Sequence, residues 1–284
     1  MQLGNPNADI FVPDGKPFEE ALARTTHLCI GAHQDDQELM AYHGIAECFA
    51  RGDLWFSGIV VTDGGGSARA GPYANYTDDE MKAVRRREQR KAAYLGEYAV
   101  QLQLAYPSSE AKDGRSRAVT DDLVAILDAA RPRIVYLHNP ADKHDTHVAC
   151  SLRAIDALRA LPVDARPSQV YGCEVWRDLD WLIDEDKEIL RVDAHENLAL
   201  SLAGVFDSQL AGGKRYDLAF QGRWRANATL FASHAVDQAQ GLSWALDLTP
   251  LIQDADSSVI DYTNAFIDRL RTNVTARLRR LGGA

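Results

Sequence analysis

Ala32-His33-Gln34-Asp35-Asp36-Gln37-Glu38 stands at the exit of the first strongly apolar run, His27 to Gly31. A short apolar run closed by glycine fits a buried parallel strand. The histidine and carboxylates that follow it are metal ligands and bases gathered at one strand end. More than a hundred residues on, after a second apolar run at 133–138, Asp142-Lys143-His144-Asp145-Thr146-His147 offers the same chemistry again.

Working outward, residues 55–62 and 99–104 read as further strands, and helices over 39–51, 80–95, 120–130 and 148–160 alternate with them. Gly96 is placed to close the second of these helices. Strand and helix in repeated alternation predict an α/β fold: a Rossmann-like, doubly wound, mostly parallel sheet with helices on both faces. Residues 1–26 read as an irregular lead-in with a short helix at 17–23. After Arg166-Pro167 the pattern changes to strands at 170–175 and 188–192 and helices at 196–210, 217–234 and 259–281. No linker or repeat interrupts the chain, so one domain is expected over 1–284, with a core at about 27–210 and an elaborated C-terminal part at about 211–284. The long 63–79 loop, rich in Gly, Ala, Tyr and Asn, has the length of a functional loop.

Composition narrows the function classes. The 284-residue chain is 46% hydrophobic and 25% charged, which is ordinary for a soluble globular protein, and its formal charge is −10. That balance argues against nucleic acid as a partner. The basic run Arg85-Arg86-Arg87, with Arg90 and Lys91, is interleaved with Glu88 and reads as a solvated helix face. The four cysteines include no CxxC pair, so neither a disulfide framework nor a thiolate zinc site is signalled. A polar N-terminus and the lack of a membrane-length apolar run make the cytoplasm the expected location, with no membrane association.

His33 and Asp36, three apart where a helix begins, can share one face and one ion. His147, opening a later helix, can complete the set. Two imidazoles, one carboxylate and an open fourth position is a catalytic zinc arrangement. Asp35, beside a ligand, is then placed to take a proton from water, and His144 to stabilise an oxyanion or protonate a leaving amine. A purely structural reading competes: Asp35 followed by Glu38 looks like a capping box, and Asp145 or Thr146 could cap the later helix.

The Ala-His-x-Asp-Asp-x-Glu stretch, with a distal His-x-x-His opening a helix, resembles the PIG-L/LmbE-like family of zinc-dependent N-deacetylases. Thr62-Asp63-Gly64, Arg85-x-x-Glu88 and a weaker echo at Asp207-Ser208-Gln209 extend the likeness over about residues 27–210. The resemblance implies His33, Asp36 and His147 as zinc ligands, Asp35 as general base, His144 as oxyanion or acid partner and Arg85 as a substrate contact. It implies removal of an N-acyl group, an acetyl above all, from a small-molecule amino sugar or glycoconjugate. Gln34 replaces a usual proline and should loosen the turn. Asp145-Thr146 replaces a usual Pro-Asp, leaving Asp142 or Asp145 to supply the carboxylate beside the distal histidines. His27, His43, His138 and His195 read as ordinary core or surface histidines, and His234 as a weak pocket candidate. The five tryptophans (55, 176, 181, 224 and 244) read mostly as core, with Tyr216 and Trp224 as an alternative wall for sugar stacking.

Two other functions compete. One is a nucleotide- or phosphate-binding protein with Gly64-Gly65-Gly66 as an anion cradle, although neither GxGxxG nor a Walker lysine is present. The other is a non-catalytic family member. The sugar, the acyl chain and the aglycone are not written in these motifs. Iron or cobalt would suit the same ligands as zinc, and a homo-oligomer stays open because members of the family frequently self-associate.

Overall fold

The computed structural model describes residues 1–283. Its strands are β1 (Asp9–Phe11), β2 (His27–Gly31), β3 (Phe56–Thr62), β4 (Val100–Tyr106), β5 (Ile134–His138), β6 (Gln169–Cys173), β7 (Glu188–Arg191) and β8 (Leu242–Asp247). The helices are α1 (Phe18–Ala23), α2 (Asp36–Met40), α3 (Tyr42–Cys48), α4 (Asp78–Leu95), α5 (Ser108–Lys112), α6 (Ala118–Ala130), α7 (Asp145–Ala160), α8 (Glu196–Val205), α9 (Asp207–Leu210), α10 (Tyr216–Leu230), α11 (Thr249–Gln253) and α12 (Val259–Gly282).

The strands form one eight-stranded sheet in the order β1-β4-β3-β2-β5-β6-β8-β7. Its centre, from β4 to β6, is parallel, while β1 and β8 run antiparallel to their neighbours. β2 and β3 are buried along their whole length, as strands covered on both faces must be. Side chains alternate between the faces: Leu28 and Ile30 enter one apolar layer with Val135 and Leu137, and Cys29 and Tyr136 enter the other. The expected doubly wound, mostly parallel sheet is present.

The elements depart from the sequence reading in places where local pattern carries little information. β1 is three residues long, too short to show a period. The helix expected at 39–51 is two, broken at Ala41 (φ −112°, ψ 20°). The helix expected at 196–210 breaks at Phe206 (φ −85°, ψ 58°). β8, in the C-terminal part, had no assigned element and joins the same sheet. No helix among the described residues is long and apolar enough to cross a membrane.

β2 pairs with β3 on one side and β5 on the other. The chain leaving β2 moves to the β3 side, and the chain leaving β5 moves to the β6 side. Their diverging connections open a crevice at the carboxyl ends, where ligands bind in sheets of this kind. Gly58 fits this packed centre only because it has no side chain. A Cβ there would stand 1.7 Å from Gln37 Oε1 and 2.6 Å from Gln101 Oε1, both on buried side chains. Gly58→Ala should therefore destabilise the fold by about 1–3 kcal/mol through overpacking, read as a lower denaturant midpoint. An unchanged midpoint would mean that Gln37 relocates freely.

Candidate metal centre

At the β2 exit the Asp36 carboxylate folds back, and its Oδ2 accepts the His33 N–H at 2.7 Å. Asp35 makes no side-chain capping bond. Glu38 turns inward, accepting from Gln89 Nε2 and the Tyr98 hydroxyl. The capping-box reading therefore fails here. Asp35 occupies the left-handed region (φ 93°, ψ −29°), a conformation that costs a residue with a side chain about 1–3 kcal/mol. Helix α4 holds it there. Gln89 Oε1 accepts the Asp35 N–H at 3.2 Å, and Arg85 Nη2 donates to the Gln34 carbonyl and lies 3.5 Å from Asp35 Oδ2.

Two expectations change at this point. Gln34 does not loosen the turn: it is buried, and its Nε2 donates to the Thr62 carbonyl and to Gln103 Oε1. The basic run is not wholly a solvated face, because Arg85 is 2% exposed. Helix α4 begins at a capping box formed by Thr77 and Glu80, which satisfies the exposed amides at its start.

At the β5 exit His144 is the N-cap residue of α7 and makes no side-chain capping bond, and His147 lies on the first turn. The two strand ends converge. His33 Nδ1 stands 3.2 Å from His147 Nε2, Asp36 Oδ2 3.4 Å from His33 Nδ1, and Asp36 Oδ1 3.5 Å from His147 Nε2. Donors about 2.0–2.1 Å from a tetrahedral ion stand about 3.3–3.4 Å from one another, so the spacing suits one small cation. His144 has a ring nitrogen grouped with those of His33 and His147.

His147 Nδ1 lies 3.0 Å from Asp142 Oδ2. A proton on Nδ1 shared with that carboxylate leaves the Nε2 lone pair facing the other donors, as metal-binding histidines require. Asp142 Oδ1 is itself held by the backbone N–H groups of Lys143 and Arg177. The carboxylate beside the distal histidines is therefore Asp142, while Asp145 is exposed.

His138 is not the ordinary histidine expected from the sequence. It is fully buried at the end of β5, its Nε2 accepts the Ala32 N–H at 3.0 Å, and it lies 3.2 Å from Asp36 Oδ2. Asp36, His138 and His147 form a second group of donor atoms. The available signal was position: His138 ends the strand next to the crevice.

Burial opposes the charge on Asp36, yet the neighbouring His147, His138 and His33 hold its carboxyl well below the usual range. Burial pushes Asp35 up to about 7, against the pull of Arg85. It also pushes His138 down to about 4, helped by His147, and lowers His144 with help from His147 and His33. His147 moves the other way, because Asp36 and Asp142 outweigh its burial.

Above these groups lies a cavity of about 600 Å³ that His33, Asp35, Asp36, Arg85 and His144 help to line. Arg85 (Nε and Nη1) and Gln209 (Nε2) line it too, and these buried nitrogens have no partner. Gln209 sits on α9, which Ser208 ties to α4 by donating its N–H and hydroxyl to Glu88. Trp176, Tyr216 and Phe220 make an apolar wall. Trp224, expected there, is buried against Tyr42 instead, with ring centroids 5.4 Å apart. His234 is exposed and does not line the cavity. In the glycine loop, Gly65 N–H donates to Asp63 Oδ1 and Ser67 N–H to the Gly64 carbonyl. Those amides are consumed internally, which disfavours the anion-cradle reading.

No curated protein sequence matches the chain. Among solved structures, the 4-carboxy-2-hydroxymuconate hydratase of Pseudomonas putida is similar, with a TM-score of 0.61 at 16% identity over 79% of this chain and 96% of its own. The N,N'-diacetylchitobiose deacetylase of Pyrococcus horikoshii gives 0.60 at 17% identity over 81% and 86%. A teicoplanin deacetylase in a zinc-inhibited form gives 0.54 at 18% identity over 82% and 100%. At these identities the likeness carries the fold and not the reaction. The family model described as PIG-L, GlcNAc-PI de-N-acetylase, matches residues 28–158, which spans both strand-end motifs. Residues 28–158, a little under half of the chain, are similar to the PIG-L family.

Proposed function

We propose that the protein is a metal-dependent N-deacetylase that hydrolyses the acyl amide of an N-acetylated amino sugar or related glycoconjugate, with zinc as its working metal. The observation that carries this reading is the convergence of His33 Nδ1, His147 Nε2 and the two Asp36 carboxylate oxygens, at contacts of 3.2–3.5 Å, beside a buried carboxylate oxygen, Asp35 Oδ2, that has no hydrogen-bond partner. His33, Asp36 and His147 would hold the ion. When bound, such an ion lowers the pKa of water from 15.7 to about 7 and polarises a carbonyl.

The chain's own residues supply the rest. Asp35 Oδ2, aimed by the left-handed turn, takes the proton from the attacking water. Its burial gives it the proton affinity a base needs near neutrality, and a nearby cation favours its ionised form. His144, on the opposite lip, donates a hydrogen bond to the oxyanion or a proton to the departing amine. Arg85 and Gln209 offer unpaired donors to substrate oxygen atoms, and Trp176 and Tyr216 offer faces for a sugar ring. The similar fold of a hydratase makes water addition the competing reading. An amine-release assay over N-acetylated sugars separates the two, because hydration liberates no amine.

Asp35→Ala should retain the metal at wild-type stoichiometry while lowering kcat by about 10²–10⁴-fold. A wild-type rate would remove Asp35 from the base role. Asp142→Ala should weaken metal affinity by about 10–100-fold through the untethered His147 ring, as measured by competition with a chelating indicator. Unaltered affinity would mean that the tether is dispensable. Gln209→Ala should raise KM with little change in kcat, as loss of a contact made equally in ground and transition states does. A matched fall in kcat with unchanged KM would contradict that role.

A further inference from the structure

Helix α12 is 24 residues long, and only its first half rests on the body. Thr263 and Phe266 are buried, whereas every residue from 271 to 283 is exposed. One side of the helix nevertheless carries a continuous apolar stripe. Ile260, Ile267, Val274 and Leu281 recur at intervals of seven, joined by Leu278, with exposures of 72%, 45%, 45%, 72% and 68% respectively. From Ile260 to Leu281 the stripe runs about 32 Å at 1.5 Å per residue. It lies beside the core-facing edge, and nothing among the described residues covers it.

A free helical half of this composition should not persist unaided. Isolated helices of about 12–15 residues are marginal in water, and Thr272, Asn273, Val274 and Thr275 are poor helix formers in the middle of the segment. The narrow stripe returns to one helix position every seven residues, a spacing that a second helix laid along it can follow. An interfacial membrane helix would show a broader face with aromatic residues.

We propose that this face pairs with α12 of a second copy of the chain, antiparallel, in a two-fold symmetric dimer. The spacing is self-complementary: one register sets Ile260 opposite the partner's Leu281 and Ile267 opposite the partner's Val274. The same register brings Asp261 to the partner's Arg280. Charge favours the same orientation. The supported half carries Asp261, Asp268 and Arg269, of which Asp268 meets Arg271 on its own helix and Arg269 meets Asp186, and the free half carries Arg271, Arg277, Arg279 and Arg280 with no acid. Antiparallel pairing therefore lays each basic end over the partner's mildly acidic half. It also points that end at the partner's body, whose net charge is more negative than the −10 of the whole chain. Isologous contacts of this kind close at two subunits.

Sedimentation velocity of the full chain should give a dimer. Val274→Glu with Leu278→Glu, at exposed positions remote from the cavity, should shift it to monomer while the circular dichroism of the body is kept. The four native cysteines are buried, so introduced thiols report orientation. An oxidised mixture of Ile267→Cys and Val274→Cys proteins should link across the two variants. Ile267→Cys alone should not link, since its two copies stand about 10 Å apart along the axis, beyond disulfide reach. Four results would each overturn the proposal. These are a monomeric wild type, a dimer indifferent to the two glutamates, efficient linkage of Ile267→Cys to itself, and a monomer whose α12 binds phosphatidylserine vesicles instead.

Discussion

One buried carboxylate among three imidazoles is the interaction on which the structure depends. Asp36 is 4% exposed, and an unpaired charge at that depth would cost far more than the fold could absorb. It is tolerated because His33, His138 and His147 approach it from two neighbouring strand ends. Adjacent strands lie about 4.7–4.9 Å apart, and β2 and β5 send their connections in opposite directions. Residues just beyond them are therefore close together without being close in sequence. The topology makes the crevice, and the charge of Asp36 orders the rings inside it.

The geometry beside this cluster is set by α4. Residues four apart share a helix face, and Arg85 and Gln89 use that spacing to grip both sides of the Asp35 peptide. Glu88, on the neighbouring face, reaches α9 through Ser208. One helix thus joins the strained turn at Asp35 to the cavity wall that carries Gln209. A rigid link of this kind matters for hydrolysis, since a base misplaced by about 1 Å can lose a hundredfold in rate.

The parallel centre of the sheet was legible in the sequence because β2, β3 and β5 are buried on both faces and read as apolar runs. The convergence of His33, Asp36 and His147 was legible for a related reason: both motifs stand at the ends of such runs, and strand ends adjoin in a doubly wound sheet. His138 was not legible. A histidine ending an apolar strand looks the same in sequence whether it faces a core or a crevice, and only the Ala32 N–H and Asp36 that meet it decide. The role of Asp142 rested on a loop conformation that no periodicity reports. Trp176 lines the cavity while Trp224 packs in the core, a division that the C-terminal part, with no repeating pattern, does not signal. The break at Phe206, which creates α9 and presents Gln209, has only Gly204 as a local signal, and that glycine is itself still helical.

X-ray absorption spectroscopy of the zinc-loaded protein tests the central claim most directly. The account predicts one ion per chain with nitrogen and oxygen donors at about 2.0–2.1 Å, an imidazole scattering pattern and no sulfur, all lost in His147→Ala. A sulfur signal near 2.3 Å, or an unaltered spectrum in His147→Ala, would contradict it.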